Sequence, residues 1–252
     1  MSATIALITG ANRGLGRETA LALAEAGVDL IITYRTNADE AASVVEEVAK
    51  LDRKAVAFQL DTGKLEQFDA FAASVTAALS SEWGRESFDF LVNNAGVGIG
   101  GSIAETTVEV FDDLLNVHFR GVFFLTQKLL PLIADGGRII NLSTGLARFV
   151  GHGGYAAYAS MKGAIEVFTR YLAAEVGPRG ISANAVAPGA TATNFDGGSL
   201  RDEQVGAFLG SVTAMGHIGR PEDIGATIAG LLTSRANWIT AQRIEASGGM
   251  NL

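Results

Sequence analysis

The chain is expected to fold as α/β, with seven parallel strands doubly wound between two layers of helices. Three observations point there. Short runs rich in β-branched residues alternate with longer amphipathic stretches along the whole length. Several of the short runs, such as IALIT near the start, are apolar at consecutive positions, as strands buried on both faces must be. A glycine-rich turn, TGANRGLG at residues 9–16, joins the first strand to the first helix. Repeated strand–helix–strand units demand right-handed crossovers, and hence parallel pairing.

The elements follow in order from that alternation. Strands are expected at residues 4–9, 29–34, 54–60, 88–92, 138–142, 181–186 and 243–245. Helices are expected at 14–26, 38–50, 64–80, 108–132, 156–176 and 222–233. The stretch 190–219 breaks the rhythm: it is rich in Thr, Gly and Asp and holds one short helix at 200–211. It reads as a lid beside a site, with an ordinary surface insertion as the alternative.

Composition narrows the function. The 252 residues are 48% hydrophobic and 18% charged, enough to bury a sizeable core in a single domain and to exclude disorder. A net charge of −8 disfavours a nucleic-acid surface. There is no cysteine, so disulfides, thiolate metal sites and a cysteine nucleophile are excluded. The N-terminus lacks a basic leader, and no apolar run approaches the roughly 20 residues of a membrane helix. A soluble, cytoplasmic protein is expected.

The glycine turn is a candidate phosphate seat. Gly10 ends the strand in a tight turn, while Gly14 and Gly16 let the backbone approach a pyrophosphate and the helix pack closely on the strand. Asn12, Arg13 and Leu15 complete the loop. The spacing is G-x-x-x-G-x-G, so glycines alone are weak support, and a turn with no ligand is the bland alternative. The second strand ends at Tyr34 with Arg35 next; no acid stands where a ribose-binding carboxylate would, and Asp39 and Glu40 come later, at the start of a helix. Arg13 and Arg35 would instead grip a 2′-phosphate, which favours NADP(H) over NAD(H).

The stretch Y-A-S-M-K puts Tyr158 and Lys162 on one helix face. A phenol with a pKa of about 10 exchanges protons poorly at neutral pH, and an ammonium one turn away, together with the positive nicotinamide ring of an oxidised cofactor, is expected to lower that value. Tyr155 has no lysine four residues on. Taken alone, the pair reads more readily as a core tyrosine and a surface lysine. His118, His152 and His217 lack metal-ligand spacing, so no metal site is expected, although His152 is a candidate substrate contact. Glu18 and Glu25 read as solvated helix faces, and Trp83 and Trp238 as packing residues.

With these motifs in order, the chain resembles the short-chain dehydrogenase/reductase family, in the branch of about 250 residues that includes the 3-oxoacyl-carrier-protein reductases. The matching segments are TGANRGLG at 9–16, LDT at 60–62, NNAG at 93–96, LLNVHF at 114–119, INLST at 140–144, YAAYASMKGA at 155–164, APGATAT at 187–193 and SGG at 247–249. The resemblance implies a Rossmann-like fold and a homotetramer or homodimer. It implies that Tyr158 is the acid/base, that Lys162 bonds the nicotinamide ribose, and that Asn116 holds a water leading to solvent. The carbonyl-polarising hydroxyl would be Thr144, with Ser143 as the alternative, because a threonine stands at the family's serine position. Asp61 and Thr62 would meet the adenine, and Asn94, Ala95 and Gly96 the adenosine ribose. Pro188, Gly189, Thr191 and Thr193 would grip the carboxamide. Thr240–Ala241 stands where relatives commonly show Thr-Gly, and Ser247 where they often show Asp.

The implied reaction is reversible hydride transfer between NADPH and a ketone or aldehyde. NAD-dependent alcohol oxidation is the nearest alternative, and a non-catalytic dinucleotide-binding regulator another. A sugar-nucleotide epimerase would show G-x-x-G-x-x-G and a larger C-terminal region, and neither is present. The loops at 146–154 and 190–219 would shape the substrate pocket.

Overall fold

The computed structural model describes residues 3–151, 153–195, 197–198, 200, 202–235 and 238–252. Strands β1 (Ile5–Ile8), β2 (Asp29–Tyr34), β3 (Ala55–Gln59), β4 (Phe88–Asn93), β5 (Ile133–Leu142), β6 (Ser182–Pro188) and β7 (Arg243–Ala246) form one seven-stranded sheet in the order β3-β2-β1-β4-β5-β6-β7. Every adjacent pair is parallel. The fold class read from the sequence is the one observed.

Helices α1 (Gly14–Glu25), α2 (Ala38–Lys50) and α8 (Pro221–Thr233) cover one face. Their Leu23, Val44 and Ile228 pack with Ala6, Ile8, Leu30 and Ile32 of the strands. On the other face α3 (Phe68–Trp83), α5 (Gly121–Leu129) and α6 (Ala156–Val176) bring Phe71, Val75, Leu125 and Leu172 against Ile5, Leu7 and Ile31. Alternate residues of β1 thus enter opposite cores, which explains its unbroken apolar run.

Three boundaries differ from expectation for visible reasons. The helix expected at 108–132 is interrupted: α4 (Val108–Leu115) passes through a π-helical turn, Asn116–Arg120, before α5. An extra residue per turn is accommodated there, a device periodicity does not reveal. β5 begins at Ile133, because its Asp-Gly-Gly stretch forms an irregularity within the strand, where pairing with β4 shifts register between Phe88 and Phe90. The short helix expected at 200–211, α7 (Glu203–Ser211), begins at Glu203, since Asp202 caps it by accepting hydrogen bonds from Gln204 N–H at 2.9 Å and Val205 N–H at 3.1 Å.

Candidate active site

A cleft of about 1310 Å³ lies where the chain leaves β1, β4, β5 and β6, across the point at which strand order reverses. Gly10, Asn12, Arg13, Gly14, Leu15 and Gly16 line one side of it. Gly14 has φ +56°, and a Cβ there would meet only the Thr193 methyl, at 4.0 Å. The loop therefore offers bare backbone to the cleft. No side chain caps the start of α1, which leaves its leading N–H groups for an anion. This donor set fits a dinucleotide pyrophosphate. Pro188, Gly189, Thr191 and Thr193 line the same cleft.

Asn94, Ala95 and Gly96 also line the cleft. The Asn94 carboxamide donates to Thr9 O at 2.8 Å and Gly10 O at 3.0 Å, bracing the glycine loop. Asp61 and Thr62 line it too, and the Asp61 carboxylate accepts from Gly63 N–H at 3.0 Å. Arg35 lines the cleft, whereas Tyr34, the last residue of β2, packs against the core and does not line it. Glu40 corrects the sequence reading: although it begins a helix, it lines the cleft and accepts from Asn12 Nδ2 at 2.6 Å. Glu18 also differs from expectation, for it lines the cleft and pairs with Arg17.

Tyr158 and Lys162 are both buried on α6, with the ammonium 5.9 Å from the phenol ring centroid. Lys162 Nζ donates to Leu142 O at 2.7 Å, at the end of β5. The two candidate hydroxyls separate. Ser143 Oγ donates to Glu166 Oε1 at 2.6 Å. Thr144 accepts from Leu146 N–H at 3.3 Å and lies within hydrogen-bonding reach of the Tyr158 phenol. Asn116 opens the π-helical turn and accepts from Arg120 at 3.4 Å; its neighbour Val117 lines the cleft.

Burial governs the electrostatics of the pair. Burial pushes the Tyr158 phenol above its ordinary value; the Thr144 hydrogen bond opposes this, and Tyr155 adds to it. Burial also lowers the Lys162 pKa to about 7. Desolvation is the largest influence on both groups, and the lowering expected of the phenol called on the positive nicotinamide ring as well as on the lysine.

Three features escaped the sequence reading. His118 is fully buried, stands edge-on to Tyr158 with ring centroids 5.0 Å apart, and bonds Val97 O at 2.8 Å. Burial lowers its pKa to about 3; the Lys162 charge adds to this and the Val97 backbone bond opposes it. Glu166 lies four residues beyond Lys162, so the same helical spacing would have found it. Arg243, on β7, donates to Glu166 Oε1 at 2.7 Å. His152 lies outside the described residues. His217 bonds Ile218 O at 2.9 Å, away from the cleft. Trp83 packs at the core and donates to Asp29 at 2.9 Å, but Trp238 is 98% exposed, contrary to the packing role expected of it. No group of three or more metal-ligating side chains occurs among the described residues.

The family model described as enoyl-(acyl carrier protein) reductase matches residues 10–251. Tetrahydroxynaphthalene reductase PfmaG of Pestalotiopsis fici is 35% identical, over 97% of this chain and 90% of that protein. The chain belongs to the short-chain dehydrogenase/reductase family. Membership makes it an oxidoreductase. Among solved structures, a short chain dehydrogenase from Burkholderia cenocepacia in complex with NADP is similar, with a TM-score of 0.91, 32% identity and coverage of 99% of this chain and 98% of that one. The angucycline C-6 ketoreductase LanV with bound NADP is also similar, with a TM-score of 0.92, 35% identity and coverage of 98% and 95%.

Proposed function

We propose that this reductase uses NADP(H) to interconvert a carbonyl and an alcohol, and that its substrate is a bulky, flat aromatic ketone. One observation carries the reading. Tyr158, Lys162 and Thr144 converge on the cleft that the glycine loop opens, and the cleft continues beyond them into an apolar mouth. Leu146, Phe149, Tyr155, Phe195 and Phe208 line that mouth. The Tyr155 and Phe195 rings lie near Tyr158, with centroids 6.3 and 5.8 Å away. Aromatic rings beside the proton donor favour a planar ring system. Names of similar proteins, a tetrahydroxynaphthalene reductase and an angucycline ketoreductase, support the same class.

The nicotinamide, when bound, supplies the hydride. Arg13 and Arg35 would hold the cofactor's 2′-phosphate, on its adenosine ribose, and the α1 terminus its pyrophosphate. Tyr158 donates the proton to the carbonyl oxygen, and burial keeps the phenol protonated, the form reduction requires. Thr144 polarises the carbonyl, and its extra methyl narrows the pocket relative to a serine. Lys162 anchors the ribose side from its bond to Leu142 O. Asn116 would organise water beside the lysine.

Assembly is part of the same reading. Phe123 and Phe124 on α5, with Val167 and Tyr171 on α6, remain exposed, and we infer that these helices join copies into a homotetramer or homodimer. Sedimentation would test it. No helix among the described residues is long and apolar enough to cross a membrane. The cytoplasmic location inferred from the sequence is testable by cell fractionation. The catalytic test is a panel of one-, two- and three-ring aromatic ketones with NADPH or NADH, followed by nicotinamide absorbance. Tyr158→Phe should lose roughly 10²- to 10⁴-fold in turnover while still binding NADPH. Full turnover by that variant, or a preference for small aliphatic ketones, would overturn the reading.

A further inference from the structure

We propose that Arg243, held in place by Glu166, is a positioning residue that sets the Thr144 hydroxyl from outside the cleft. This rests on the reading of Thr144 given above. The last register pair between β5 and β6 is Leu142 with Val186. Ser143 N–H still donates to Val186 O at 2.7 Å, and from Thr144 onward the chain leaves the sheet. A carbonyl at that point needs a partner from elsewhere. Arg243 supplies it, donating from Nη2 to Thr144 O at 3.2 Å.

The same guanidinium donates from Nε to Glu166 Oε1 at 2.7 Å and from Nη1 to Glu245 Oε2 at 2.8 Å. A planar fork reaches three separated acceptors from three nitrogens, whereas the three N–H donors of an ammonium radiate from one. Glu166 Oε1 also accepts from Ser143 Oγ at 2.6 Å. The two residues that precede the substrate loop are therefore each clamped, Ser143 by its side chain and Thr144 by its carbonyl. Glu166 lies one turn beyond Lys162 on α6, so the clamp ties the hydroxyl to the helix that bears the phenol and the ammonium.

The clamp extends to the other end of the loop's first turn. Arg148 donates to both Glu245 oxygens at 2.7 Å, to Met250 O at 2.8 Å and to Asn251 O at 3.1 Å. Residues 144 and 148 are thus pinned through Glu245 to β7 and to the last residues of the chain. The Arg243 and Glu166 side chains are only 20% and 14% exposed, so water screens their pairing weakly. Neither residue lines the cleft, so both act through Thr144.

A double-mutant cycle between Arg243→Gln and Thr144→Ala separates positioning from general support of the fold. Arg243→Gln should lower kcat by about ten- to a hundredfold, since small misplacements at a reacting centre cost that much. KM and NADPH affinity should stay within about twofold. Arg243→Lys should recover only a minor part of the rate. The double variant should be no slower than Thr144→Ala alone. Wild-type kcat in Arg243→Gln, or losses that multiply in the double variant, would overturn the proposal. If Arg243→Gln does not give folded protein, Glu166→Gln, which keeps the side chain's shape, goes through the same cycle and decides it. Wild-type turnover by Thr144→Ala would instead refute the reading of Thr144, whatever Arg243 does.

Discussion

Gly16→Ala sets two known effects against each other at one atom. Gly16 is the third residue of α1, and alanine is about 1 kcal/mol better than glycine inside a helix. Propensity alone therefore predicts a gain. A Cβ at this position would lie 2.5 Å from Asn94 Nδ2 and 2.9 Å from Ala11 Cα, and nearer still to Gly10 O. None of these atoms yields easily. Two are backbone, and the Asn94 amide is held by bonds to Thr9 O at 2.8 Å and Gly10 O at 3.0 Å. Displacing that amide costs about 1 kcal/mol per hydrogen bond. The remaining overlap costs about 1–3 kcal/mol. After the propensity gain, the net loss is about 2–4 kcal/mol, or roughly 4–16 °C in Tm for a chain of this size. Thermal unfolding with and without NADPH measures it, and affinity for NADPH should fall as well. Gly230→Ala is the control, since Gly230 lies on the exposed side of α8 with nothing within 4 Å of a new Cβ. It should gain about 0.5–1 kcal/mol. A Gly16→Ala protein as stable as the wild type would refute the close approach of the glycine loop to Asn94.

Other outcomes follow from single features. Arg35→Ser should weaken NADPH binding roughly 10- to 150-fold, the worth of a charge-assisted bond, and leave NADH nearly unchanged in titration calorimetry; equal losses for both would refute the 2′-phosphate role. His118 is held neutral with a pKa of about 3, against an unfolded value of 6.5. Between those values the unfolded chain binds the extra proton, so His118 lowers stability as pH falls from 6.5 to 3, by up to about 5 kcal/mol. Glu245, whose pKa Arg148 lowers to about 2, loses its own contribution as pH falls from 4.5 to 2. Denaturant titrations of His118→Gln at several pH values should therefore show a shallower acid decline, not a flat one; an unchanged slope would count against the buried neutral imidazole. Ala241 has φ +60°, a left-handed conformation costly to any residue with a Cβ. Ala241→Gly should raise stability by about 1 kcal/mol in chemical denaturation, and a loss would mean that the methyl's packing outweighs the strain.

What was legible in the sequence was whatever a period or a short motif encodes. The consecutive apolar residues of β1 required burial on both faces, and its alternate side chains do enter two cores. The glycine loop, the Tyr158–Lys162 spacing and the loop after β6 were local patterns, and the fold brings all of them to one cleft. The π-helical turn at Asn116 was hidden, because a single widened turn leaves the apolar period almost intact. Also hidden was every relation that depends on which strand lies beside which. Arg243 is separated from Thr144 by 99 residues, and only the order β5-β6-β7 brings them together. Glu40 is similar, for it reaches Asn12 across 28 residues once β1 and β2 are neighbours.

The phenol shows why proximity in sequence was insufficient even where the geometry was right. Helical spacing correctly placed a lysine beside Tyr158. It carried no information about solvent, and both groups are buried. In a low dielectric the cost of creating a charge grows along with the attraction between charges, so the sign of a pKa shift depends on the whole surroundings. Here burial wins on both side chains, favouring the neutral phenol and bringing the lysine to a pKa of about 7. The proton thus rests on the oxygen that carbonyl reduction must draw it from. Alcohol oxidation would have to ionise the same buried phenol, and the Thr144 hydrogen bond eases that ionisation.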